Sequence, residues 1–210
     1  MLTFPSTAAV GRIMPKEAFY KRLTLSSEIR GNFVADVKRI VMEYKLASDT
    51  INITKGEEVS EILVLSIELK KQEMDYRIVE NIARQNAHKL LFLLKFGNKG
   101  QLALYYNKLY KTGWMPLADI NLDARGLDLD SIWEGFIEQI AFKNTDITIE
   151  RMEGLSVEEM LNKQDAIMKL HKEIAKLERL SRSEKQPKKR FELYTRLQVL
   201  QRKLAEEKGE

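Results

Sequence analysis

The triplet Glu68-Leu69-Lys70 closes a run of apolar residues that begins at Ile62. A carboxylate and a lysine two residues apart at the end of a strand suit phosphodiester cleavage. The carboxylate binds a divalent cation such as Mg²⁺, and the lysine stabilises charge beside the scissile phosphate. Nucleases with a PD-(D/E)xK core present this pattern, with another acid on a preceding strand or loop. Asp49, Glu58 and Glu61 are available for that role, and none follows a proline. Alternation along a strand also puts Glu68 and Lys70 on one face, where they could simply be the solvated end of the strand.

Other catalytic patterns are sparser. His88 and His171 stand far apart without a third ligand, a poor basis for a metal site or triad. The chain has no cysteine, which excludes disulfides, thiolate metal sites and a cysteine nucleophile. No glycine-rich phosphate loop is present, since Gly97-Asn98-Lys99-Gly100 sits between strand-like segments and lacks the rest of the motif. Tyr105, Tyr106, Tyr110 and Trp114 lie near Lys108 and Lys111. Such a set could stack single-stranded bases, or could divide between a core and its edge.

Charge gives the clearest segregation. From Ser156 to the end, basic residues outnumber acidic ones by 14 to 10, the whole of the net charge of +4, while residues 1–155 balance at 21 to 21. The steepest imbalance runs from Lys176 to Arg190 and comprises Lys176, Arg179, Arg182, Lys185, Lys188, Lys189 and Arg190 against Glu178 and Glu184. Neutralising phosphates with such a set gives salt-dependent, sequence-independent binding. A solvated helix surface and an acidic protein partner are the other uses of the same charge.

The elements that would carry these groups follow from periodicity. Pro15 opens a short helix. Ser26 and Ser27 offer caps for a longer helix with Ile29, Phe33, Val37, Ile40, Val41 and Tyr44 on one face. Thr50 to Thr54 alternates as a short strand, turned by Lys55-Gly56-Glu57. Ile62–Leu69 is a central strand, and a helix near Asp75 turns Ile78, Val79, Ile82 and Ala83 inward. Leu90–Phe96 and Leu102–Tyr106 form a hairpin. Asp130 caps a last body helix carrying Ile132, Trp133, Phe136, Ile137 and Ile140. These elements predict an α+β fold in which a small mixed or antiparallel sheet of about four strands is packed by helices.

After a polar connector over Thr145–Leu155, Met160, Ile167, Leu170, Ile174 and Leu177 recur at heptad spacing, broken by Lys163. Leu193, Leu197, Leu200 and Leu204 follow beyond Pro187. The two stretches predict a coiled-coil-like antiparallel hairpin turning over Ser181–Pro187, with homo-oligomerisation through the same seams as the competitor. The expected organisation is a globular body at 1–150 and a hairpin arm with a basic tip at 156–208.

Several segments resemble the bacterial family named domain of unknown function 4391. They are Pro15-Lys16-Glu17-Ala18-Phe19-Tyr20, the stretch from Tyr44 to Ile53, and Ile62–Lys70. Thr112-Gly113-Trp114 and Glu184-Lys185-Gln186, followed by Glu192-Leu193, complete the set. Pro187 departs from the family's pattern after Glu-Lys-Gln. The resemblance implies proximity to DNA helicases and DNA methyltransferases in restriction or phage-defence settings. It supplies no catalytic residues.

The expectation is therefore a non-enzymatic accessory or adaptor protein with no cofactor, its basic arm contacting nucleic acid or a partner subunit. The nuclease using Glu68, Lys70 and Asp49 and an oligomerisation module are the alternatives. The first residues show no apolar run behind a basic stretch, and Leu90–Leu94 is too short to span a bilayer. A cytoplasmic protein without a membrane partner is expected.

Overall fold

The computed structural model describes residues 2, 4–142 and 154–208. The chain divides into two compact units, Met1–Thr145 and Asp146–Glu210. The connector expected over 145–155 lies largely outside the described residues.

The first unit is built on a mixed sheet of seven strands, more than the four or so expected. The strands are β1 (Ala9–Met14), β2 (Val37–Ala47), β3 (Glu61–Leu69), β4 (Lys89–Phe96), β5 (Lys99–Tyr106), β6 (Lys108–Lys111) and β7 (Met115–Pro116). Spatial order follows chain order from β1 to β6, and β7 pairs with β5. Neighbours are antiparallel except β3 and β4, which run parallel. A parallel pair needs a crossover, and helix α4 (Arg77–Arg84) supplies it. The remaining helices of this unit are α1 (Lys16–Arg22), α2 (Ser27–Asp36), α3 (Ser48–Ile51) and α5 (Leu129–Phe142).

Leu63, Leu65, Ile67 and Leu69 of β3 join Leu90, Phe92 and Leu94 of β4 on one sheet face. There they bury Phe33 of α2 and Ile78, Val79 and Ile82 of α4, as the spacing predicts for α4. The opposite face meets α5, where the Phe136 ring lies tilted at 6.0 Å from that of Phe4, itself edge-on at 5.1 Å to Tyr44 of β2.

Three expectations need correction. The helix opened by Ser26, whose hydroxyl accepts the Ile29 N–H, stops at Asp36 instead of running to Tyr44. The β-branched Val37, Ile40 and Val41 enter the sheet between β1 and β3, where backbone pairing on both sides outweighs the helical spacing. Second, Ser48–Ile51 is a short helix, not the start of a strand. The Thr50 hydroxyl accepts the Ala47 N–H at 2.9 Å and donates to the Lys45 carbonyl at 2.7 Å. Third, Asp128 caps α5 through Ser131. Asp130 instead accepts the N–H groups of Glu57 and Val59 at 2.7 and 2.8 Å.

The second unit pairs α6 (Val157–Ser183) with α7 (Pro187–Lys208). Ser156 and Glu159 form a reciprocal capping box at the start of α6. Pro187 takes the first position of α7, where its missing N–H costs nothing. The three residues between the helices make a tighter connection than Ser181–Pro187. Ile174, Leu177 and Leu197 are buried in the seam, and Leu193, Leu200 and Leu204 pack on it.

Candidate functional site

Glu68 stands opposite Arg39 of β2 and Lys95 of β4. Its carboxylate reaches the Lys38 Nζ at 2.6 Å and the Arg39 guanidinium at 3.1 Å. The Lys38 hydrogen bond is the main cause of a carboxyl held below the usual range. Lys70 turns elsewhere. Its N–H donates to the Asp36 carbonyl and its Nζ to the Val34 carbonyl, both at 2.8 Å. Lys16 donates to the Val37 carbonyl at 2.5 Å, and Lys71 pairs with the buried Asp36 at 2.9 Å. Burial, then the neighbouring Lys70, holds the Lys16 amine below its ordinary range. These lysines gather at the C-terminal end of α2, where free carbonyls and the helix dipole favour cations.

The acids proposed to complete a metal site lie at the other end of the strand. Glu61 pairs with Ala47, and Asp49 follows in α3. Glu61 and Glu68 stand seven residue steps apart along the strand, about 23 Å. Glu61 contacts Lys45 and His88, each at 3.0 Å, while Glu58 lies in the loop held by Asp130. Glu68 and Asp49 therefore do not converge. Among the described residues no three His, Asp or Glu side chains form a group that could hold a metal ion.

A polar cluster beside Glu68 was not anticipated. Glu43 occupies the register irregularity between Met42 and Tyr44, and such bulges re-aim side chains. Its Oε1 accepts from Ser66 at 2.6 Å and from Lys95 at 2.8 Å. Burial opposes ionisation of Glu43, yet the Lys95 and Ser66 hydrogen bonds prevail and its carboxyl stays below the usual range. A chain segment read as helix gave no reason to bring Glu43 to β3 and β4.

Of the aromatic residues in and after β5, Trp114 packs on the core and Tyr110 meets a lysine. The Lys111 Nζ lies 3.6 Å from the centroid of the Tyr76 ring, and Lys108 lies 5.0 Å from that of Tyr110. The Tyr76 hydroxyl donates to the Gln101 side chain at 2.8 Å.

The seven basic residues of the arm behave differently. Lys176, Arg179 and Arg182 belong to the C-terminal part of α6, Lys185 to the connection, and Lys188, Lys189 and Arg190 to the first turn of α7. All seven are exposed, and none forms an ion pair among the described residues. Cations suit the last turn of α6. In the first turn of α7, where no acid stands, the helix dipole opposes them. A groove of about 300 Å³ beside the tip is lined by Ala175, Glu178, Arg179, Arg182 and Ser183. Phe191 and Tyr194, which no periodic pattern marks, are 70% and 52% exposed directly after the basic run. Their adjacency to that run was the available signal.

The structure thus defines an α+β protein with a mixed-sheet body and a basic helical hairpin. The model of the family described as "Domain of unknown function (DUF4391)" matches residues 2–204, and the chain belongs to that family. No curated protein and no solved structure matches the chain. Among the described residues no helix is long and apolar enough to cross a membrane.

Proposed function

We propose that this is a non-enzymatic accessory or adaptor protein whose basic hairpin tip contacts nucleic acid or a partner subunit. The body would dock on DNA-processing machinery, a helicase or a methyltransferase being the partner that the family resemblance suggests. That neighbourhood is an association, while the arm's role rests on charge.

The observation that carries the reading is the cluster of seven exposed cations without an ion pair among the described residues, three of them in a helix first turn. Like charges at that position each cost about 0.3–1 kcal/mol. A polyanion offsets that cost. Electrophoretic mobility shifts at low salt test the reading with Lys185, Lys188, Lys189 and Arg190 changed to Glu. The expected outcome is a shift that disappears in the variant while its circular dichroism is unchanged. Absence of any shift by the unaltered protein at low salt sinks the nucleic-acid contact. Mg²⁺- or Mn²⁺-dependent cleavage lost in Glu68→Ala would replace the reading with the nuclease. A mass that halves on removal of 156–210, beyond the deleted segment, would replace it with the oligomerisation module.

A further inference from the structure

The outward side of α7 carries residues that the hairpin seam does not use. Successive helix residues turn by about 100°, so Leu193, Leu197, Leu200 and Leu204 share the side that meets α6. Lys188, Phe191, Thr195, Gln198 and Arg202 fall on the opposite side, with Tyr194 next to Phe191. Every one of these outward residues is exposed. From Lys188 to Arg202 the stripe runs about 21 Å, at 1.5 Å per residue.

Two properties of this stripe choose its occupant. Phe191 and Tyr194 hold broad ring faces in water, on a convex helix surface rather than in a pocket. Cations bracket them along the chain, with Lys188 and Arg202 on the same side and Lys189 and Arg190 on its two flanks towards α6, and Glu192 lies about a quarter turn to the side. The occupant is therefore anionic and offers flat apolar faces. Bases in a duplex hide those faces within the stack, whereas unpaired bases present them. Aromatic rings beside backbone-neutralising cations are the means by which single strands are held without sequence preference.

We infer that this face of α7 binds single-stranded nucleic acid. Unpaired bases stack on Phe191 and Tyr194 while Lys188, Lys189, Arg190 and Arg202 neutralise the phosphates. The inference rests on the proposed nucleic-acid contact of the arm and narrows it to one substrate class.

The test uses the full chain and fluorescence anisotropy, with labelled oligo(dT) of about 12 nucleotides and a duplex of the same length. The single strand binds more tightly than the duplex. Phe191→Ala and Tyr194→Ala each weaken single-strand binding by about 5- to 150-fold and leave duplex binding nearly unchanged. Phe191→Tyr, which keeps the ring, retains affinity. Phe191→Trp adds a fluorescent ring to the arm, and its emission is quenched on binding. Equal or tighter duplex binding, or alanine variants that bind as the parent does, overturns the single-strand inference and leaves the basic-tip contact standing. Failure to bind either oligonucleotide at low salt overturns both. If the ring substitutions instead halve the mass measured by light scattering, the face is a contact between copies of this chain and the inference falls.

Discussion

Glu68 and Lys70 are two residues apart in sequence yet serve different neighbours, cations of β2 for one and α2 carbonyls for the other. The pair was legible in the sequence, but its partners were not, because Lys38 and Arg39 belong to a segment whose spacing also suits a helix. Asp75 allows a test of electrostatics at the same scale. The Arg77 guanidinium, helped by Asn32, overcomes burial and holds its carboxyl down to about 2. A carboxyl depressed in the folded state stabilises above its unfolded value near 4, and the contribution is lost as pH falls toward 2. Asp75→Asn is therefore expected to lose about 1 kcal/mol at neutral pH, after discounting for the exposure of Arg77. Urea unfolding followed across pH should show the difference from the parent closing between about pH 4 and 2. Gly56 tests geometry: a Cβ there would lie 2.1 Å from the Asp130 Oδ1. Gly56→Ala should displace that carboxylate from the Glu57–Val59 loop and cost about 1–3 kcal/mol. Adding Asp130→Ala should then cost less than the two single changes summed, since both act on the same hydrogen bonds.

Elements with one unambiguous period were the legible ones. β3, α4, α5, the β4–β5 hairpin and the two arm helices appear where their apolar residues predict them. β2 was hidden because Ile29, Phe33, Val37, Ile40 and Tyr44 keep helical spacing across a boundary that tertiary pairing moves to Asp36. β1 was missed for another reason: it is exposed along most of its length and so carries no buried alternation. Losing β2 also lost Glu43, Arg39 and the polar cluster they serve. The arm's first helix offers a measurement of local encoding. Ser156 accepts the Glu159 N–H at 3.2 Å and its own N–H reaches the Glu159 carboxylate at 2.8 Å. Ser156→Ala should remove about 1 kcal/mol from α6 and lower its helicity by circular dichroism.

Across the whole molecule, charge separates between the two segments of the chain. Residues 1–155 are electrically balanced, and the net +4 belongs to the segment from Ser156 onward. The proposed contact should therefore weaken steeply with salt. On a single strand, each phosphate contact adds about 0.7 to the magnitude of the log–log slope. Changing Lys188, Lys189 and Arg190 to Ala should reduce that slope by about 2, a result anisotropy titrations over a salt series would read directly. The charge pattern was legible from the order of residues alone, whereas the exposure of Phe191 and Tyr194 depended on which side of α7 meets α6. The margin of the sheet has a consequence for molecules that meet in crowded solution. An unbroken outer strand offers its free N–H and C=O groups as a template on which another chain can grow. In β1 the left-handed Gly11, at φ +64°, and the slip in register between Ala9 and Arg12 interrupt that template. Val10 and Ile13 thus lie open to solvent on a border that a foreign strand cannot follow without a break, a guard against aggregation built from one glycine and one misaligned pair.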